Sequence, residues 1–242
     1  MISEQQLAKA LLKLGLRPGL PLMLHVSMRK LGPVEGRAAG LISAVTQALG
    51  PDGTLLMVLD ADPDEPFDAL TTPGDVEDMG IVAEVFRTTD SVQVNDHVAA
   101  RFAARGPHAQ TLLEPIPLHD YFGPGSIFER FVALDGQVLR LGPNIDTVTL
   151  THYAEYLADV PNKRRVRRHL LRADIGHQWV ESLDDSDGIV DWPHGDYFSQ
   201  ILIDFIAAGM AKQGPVGQCT AELLNARTFV PFATQWMETH LR

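Results

Sequence analysis

A single cysteine, Cys219, stands among 242 residues, which excludes an internal disulfide and a thiolate zinc site. No His or basic residue neighbours it in sequence, so it is expected to be a structural thiol in a reducing, cytoplasmic protein. No run of apolar residues approaches the roughly 20 that a membrane helix needs. The opening MISEQQLAKALLKLGLRPG lacks a basic n-region and is expected to be an amphipathic helix closed by Gly15 rather than a signal peptide. Sequence repeats and low-complexity tracts are absent. So are a P-loop, a GxGxxG fingerprint, an HExxH pair and a GxSxG elbow, which argues against the usual nucleotide, zinc-hydrolase and serine-hydrolase routes. The nine histidines are scattered, and no metal is expected.

What is present is acidic. Asp and Glu number 31 against 20 Lys and Arg, a formal net charge of −11. Such a surface repels nucleic acid and suits a cationic ligand, although solubility alone also accounts for it. The charge is patterned: residues 60–68, 75–78 and 184–191 are acidic, whereas NKRRVRRH at 162–169 is strongly basic. That split predicts separate places for a cation and an anion, with a solvated face as the plain alternative for the basic run.

Hydrophobic spacing supplies the organisation. Leu7, Ala8, Leu11, Leu12 and Leu14 have helical spacing, and LPLMLHVSM at 20–28 has the continuous apolar character of a buried strand. A helix over 38–50, ended by Gly50, and a second buried strand over 54–60 follow. This order predicts a βαβ unit and an α/β sheet. Beyond a long acidic loop at 61–78, further helices are expected at 80–89, 125–134 (capped by Ser126), 197–210 and 229–241. A strand is expected at 136–142 and a hairpin across ADIG within 166–184. With no linker visible, the expectation is one domain, 1–242, with a central mixed sheet flanked by helices in an α/β/α arrangement.

Two stretches run from a strand end through a small polar loop into a helix, at 25–36 and 141–152. These are the places where α/β sheets put ligands. In the second, His152 and Glu155 lie three residues apart and share a helical face. A carboxylate so placed fixes an imidazole tautomer and raises its basicity. Thr149 is the expected helix cap. Spacing alone does not separate an acid–base pair from an ordinary helix start.

Several segments taken together resemble the aminoglycoside 3-N-acetyltransferases, an antibiotic acetyltransferase family distinct from the GNAT fold. They are LMLHVSMRKLGPVEG, LISAVTQALGPDGTLLM, PFDALTTPGDVEDMGIVAEVFR, NDHVAARFAARGP, FGPGSIFERFVALDGQVLRLG, LGPNIDTVTLTHYAE and GPVGQCTAELLNARTFVPFATQWM, in order over nearly the whole chain. The resemblance implies acetyl transfer from acetyl-CoA to the 3-amino group of a 2-deoxystreptamine aminoglycoside. His152 falls on the family's catalytic histidine, and Asp184 or Asp185 on its later acidic residue, orienting the histidine or holding substrate. Asp62, Asp64, Asp187 and Glu155 are expected to meet the acceptor's ammonium groups. Ser27, Met28, Arg29, Lys30, Leu31 and Gly32 would meet the pantetheine and pyrophosphate of coenzyme A. Met79 and Gly80 would line the thioester channel, with Asn144 and Thr149 beside the acetyl group and its oxyanion. The family's His-Pro pair is His97-Val98 here, and its glycine-rich loop carries Pro143 and Asn144, which bears on drug preference. No membrane or nucleic acid partner is implied, and the chain would act as a monomer or homodimer. Two alternatives remain: an acyltransferase of the same fold for another amine, and a non-catalytic protein that sequesters polycations.

Overall fold

The computed structural model describes residues 1–61 and 65–242. Helix α1 (Glu4–Leu14) begins with a capping box: Ser3 accepts from the Gln6 backbone while the Gln6 side chain reaches back to Ser3. It ends at Gly15 in the left-handed region, φ 107°, where a side chain would be strained. Strand β1 (Pro21–Val26) leads through the single turn α2 (Met28–Leu31) to α3 (Arg37–Leu49) and β2 (Thr54–Val58). β1 and β2 pair in parallel, so the expected βαβ unit is present. After α4 (Val76–Met79) and α5 (Ile81–Arg87), β3 (Gln93–Val94) and β4 (Phe102–Arg105) extend the sheet antiparallel beyond β2.

Helices α6 (Ala109–Leu112) and α7 (Ile127–Ala133) precede β5 (Gln137–Leu141), which pairs in parallel with the other side of β1. Ser126 caps α7 as its sequence implies. Helix α8 (Thr151–Leu157) carries His152. The hairpin β6 (Arg165–Arg172) and β7 (Gly176–Leu183) forms a separate two-stranded sheet. After α9 (Tyr197–Ala207) comes a hairpin for which the sequence raises no expectation, β8 (Lys212–Val216) and β9 (Cys219–Asn225). Gly214, Pro215 and Gly217 obscure its alternation, and Pro215 is tolerated because β8 is the sheet edge. Helix α10 (Ala226–His240) closes the chain.

The main sheet runs β3-β4-β2-β1-β5-β9-β8 and is mixed, with β2, β1 and β5 parallel at its centre. Those three strands are buried on both faces, which is why they read as unbroken apolar runs. Leu22 and Leu24 of β1 join one core with Leu7, Leu11, Leu41, Val45 and Phe86 of α1, α3 and α5. Met23, one residue out of phase, joins the opposite core with Phe128, Phe131, Phe205 and Phe229 of α7, α9 and α10. The alternation therefore builds three layers, each fully buried large side chain contributing about 2–3 kcal/mol.

Candidate active site

The parallel strands β1, β2 and β5 all deliver their C-terminal ends to one rim of the sheet. Because β2 and β5 flank β1 on opposite sides, this rim is the switch point at which α/β sheets open a crevice. Ser27 follows β1, Asp60 follows β2, and residues 142–150 lead from β5 into α8. Arg140, buried within β5, holds that last loop. It donates to the carbonyls of Thr147 (3.0 Å), Ile145 (3.4 Å) and Asn144, and pairs with Glu222 of β9 at 3.0 Å.

His152 sits at the start of α8, its ring stacked on Phe122 at 5.2 Å and 14° and edged by Phe198 at 4.9 Å. Nδ1 lies 2.8 Å from Oε2 of Glu155. An ionised carboxylate only accepts, so Nδ1 carries the proton and Nε2 of the neutral ring keeps its lone pair. Glu155 is 1% exposed, and its second oxygen accepts from the Tyr197 hydroxyl. Tyr197 in turn accepts from the Ile189 amide at 2.8 Å. Burial pulls the pKa of His152 down, but the hydrogen bond and charge of Glu155 outweigh it and the pKa is raised from its ordinary value. Glu155 with Tyr197 thus makes His152 a stronger base of fixed tautomer.

Two clefts, of about 680 and 440 Å³, meet at Thr149, His152, Asp185 and Ser186. The larger is bounded by Asp146, Asp185, Asp187, Asp191 and Asp196. The smaller is bounded by Asp60, Glu65, Asp75, Asp78 and Asp185. The Asp60 carboxyl is pushed up by desolvation among the cleft walls, despite a bond from the Ala61 amide, and further by the charges of Asp185 and Asp75. Asp60 also sits at φ 47°, a strained conformation for a non-glycine residue and one that recurs at functional sites. A cation entering here relieves that crowding of negative charge.

The sequence-predicted residues divide. His152, Thr149, Asp185 and Asp187 come together at the clefts; Asn144 lines the larger and Met79 the smaller. Asp185 is held by Arg168 and by the Tyr121 hydroxyl at 2.7 Å, and its pKa is lowered: burial raises it, and the bond from Arg168 more than compensates. Asp184 is not in a cleft. It is buried, and its Oδ1 accepts from the amides of Ser186 (3.1 Å) and Asp187 (3.0 Å), so it shapes the turn. Glu155 lines neither cleft; its carboxylate lies behind the imidazole, where an acceptor does not reach. Thr149 does not cap α8: the cap position is Leu150, with no side-chain bond, and the Thr149 carbonyl instead accepts from the His152 amide. Asp62 and Asp64 lie outside the described residues.

Around the first loop, Ser27 caps α2 and Met28, Arg29 and Gly32 line a largely apolar groove of about 790 Å³, together with Arg37, Ile81 and Val85. Leu31 is 1% exposed and belongs to the core, so only its backbone is available there. Lys30 is exposed and donates to the Pro143 carbonyl at 3.4 Å, tying the two loops together. Gly80 adopts φ 81° between α4 and α5. The basic run is not a free anion site: Arg164, Arg165 and Arg167 pair with Asp191, Asp120 and Glu181. His97 is a core histidine whose burial lowers its pKa to about 4 despite bonds to backbone carbonyls, while Val98 lines the smaller cleft. Among the described residues no three His, Cys, Asp or Glu side chains converge on a metal-sized site.

Sequence reasoning misses Tyr197, Tyr121, Arg168 and Asp60. Tyr197 meets Glu155 across 42 positions, and no local pattern encodes that contact. Arg168 did leave a signal: on a two-residue alternation it shares the inner face of β6 with Leu170.

The sequence model of one protein family, described as aminoglycoside 3-N-acetyltransferase, matches residues 23–238. An aminoglycoside N(3)-acetyltransferase III from Serratia marcescens is 36% identical, the match covering 94% of both chains. The solved structure of AAC-IIIb in a binary complex with CoASH superposes with a TM-score of 0.94 at 30% identity, over 99% of this chain and 97% of that one. AAC-VIa bound to sisomicin superposes at 0.90 and 32% identity, over 98% of each chain. The chain belongs to the aminoglycoside 3-N-acetyltransferase family, as its motifs implied, and it is an acetyltransferase enzyme.

Proposed function

We propose that the whole chain, as one domain and in the cytoplasm, transfers acetyl from acetyl-CoA to the 3-amino group of a 2-deoxystreptamine aminoglycoside, with His152 as general base. The observation that carries this reading is His152 at the junction of two acidic clefts with Nδ1 bonded to a buried carboxylate. Polycationic sugars suit such walls. The apolar groove beside Met28 suits a pantetheine arm, with Arg29 and Arg37 as cations for the phosphates of coenzyme A.

The acceptor amine arrives as an ammonium and attacks only after losing a proton. His152 Nε2 takes that proton, and Glu155 stabilises the imidazolium formed. The amine nitrogen bonds to the thioester carbonyl carbon, and the oxyanion develops beside Asn144 and Thr149. Collapse breaks the C–S bond; the thiolate leaves and receives the proton from His152, while the second proton of the attacking nitrogen passes to solvent. The product amide is neutral, so it has lost one charge that held it in the acidic cleft, which aids release.

A thiol-release assay over structurally varied aminoglycosides tests the reading. Active protein liberates free coenzyme A, and His152→Ala lowers kcat by about 10²–10⁴-fold while antibiotic binding persists. Absence of thiol release with every aminoglycoside, with binding retained, favours the sequestering protein instead. Release with other amines alone favours a different acyl acceptor.

A further inference from the structure

Five acidic residues line the smaller cleft, and the described residues lining it include one arginine, Arg168. Its place follows from strand geometry. Along β6 alternate residues turn outward, and Arg165 and Arg167 close on Asp120 and Glu181 at the exposed rim. Arg168 falls in the opposite phase and turns inward with Leu170, which lines the same cleft. Its guanidinium fork donates to both oxygens of Asp185, to the Tyr121 hydroxyl at 3.1 Å and to Ser186 Oγ at 3.1 Å. Asp185 borders both clefts beside His152.

We propose that Arg168 is a specificity-determining residue: a resident cation seated on Asp185, it repels an acceptor ammonium from that part of the smaller cleft and accommodates a neutral hydroxyl. The inference rests on the aminoglycoside reading above. A hydroxyl accepts from the guanidinium and donates to a neighbouring carboxylate, whereas an ammonium meets like charge and must displace an existing ion pair. The preferred acceptors are therefore those with a hydroxyl, not an amine, on the ring substituent that enters this side.

The test uses acceptor pairs that differ at one carbon, hydroxyl against amine: kanamycin A with kanamycin B, and paromomycin with neomycin. The quantity read is the ratio of kcat/KM, hydroxyl member over amine member. In the unaltered protein that ratio favours the hydroxyl in at least one pair. In Arg168→Leu it falls by about tenfold or more, while the KM for acetyl-CoA moves by no more than about twofold. Arg168→Lys preserves the ratio. Arg168→Gln serves as a second variant should the leucine form fail to fold. A merely structural arginine lowers both members of a pair equally, and a ratio unchanged in every pair overturns the proposal. Calorimetric binding of the same pairs without acetyl-CoA reads the same ratio, so a failure of acetyl transfer is told apart from a failure of Arg168 to discriminate.

Discussion

Glu155 is a carboxylate almost wholly removed from water, and it is tolerated there because two donors, the His152 ring and the Tyr197 hydroxyl, satisfy its two oxygens. The same contact sets the working pH. If His152 is the base, as proposed, transfer needs its neutral form; its pKa is raised above 6.5, so kcat is expected to fall as pH drops through that raised value. In Glu155→Gln burial acts without the opposing carboxylate, so the acid limb of the kcat profile moves to lower pH while kcat itself declines. An acid limb unmoved by that substitution removes Glu155 from its role. Linkage gives stability the opposite sense. A raised folded-state pKa stabilises fully below the unfolded value of about 6.5 and its contribution is lost as pH rises through the folded value. The unaltered protein therefore gives up part of its stability in the window where it gains activity, and Glu155→Gln does not. Denaturant midpoints measured across pH 5–9 test this. At this scale the spacing of His152 and Glu155 was visible in the sequence, whereas their third member, Tyr197, was not.

Between strand and helix, the decisive element is the 142–150 loop. Its backbone carbonyls converge on one buried guanidinium, Arg140, whose charge is balanced by Glu222 on the neighbouring strand. Arg140→Met strips three carbonyls and one half-buried carboxylate of their partner. A loss of about 3 kcal/mol is expected, and, with Asn144 and Thr149 in their proposed oxyanion role, a further drop in kcat as the loop that carries them loosens. Equilibrium unfolding in urea and steady-state kinetics on the same variant measure the two effects. Helices α1, α3, α7, α9 and α10 were legible because their apolar spacing and caps are local. The β8–β9 hairpin was not, since glycine and proline hide its alternation and its pairing partner β5 lies far upstream. Asp184 and Asp185 show the same limit at finer grain. Adjacent in sequence and equal in chemistry, they point in different directions, one into a turn and one into the cleft.

Over the whole molecule, the excess of negative charge is concentrated where the clefts are, while the basic strand is consumed by its own neighbours. Long-range attraction of a polycation into such walls is screened over about 10 Å at 0.1 M salt. The KM for a multiply charged aminoglycoside is therefore expected to rise several-fold between about 0.05 and 0.5 M salt. The KM for acetyl-CoA, an anion that on the proposed reading approaches Arg29 and Arg37, is expected to respond less. Equal salt dependence of both constants would show that the cleft charge does not govern acceptor capture.

The sequence by itself determined the α/β order, the family and the His152–Glu155 pair, because periodicity, caps and motif spacing are properties of neighbouring residues. Tertiary structure alone decided that Glu155 stands behind the imidazole, that Tyr197 supports it and that Asp185 rather than Asp184 lines the clefts. It also turned one arginine of a basic run inward. Those outcomes depend on which distant segments share a rim of the sheet, and no local pattern carries that information.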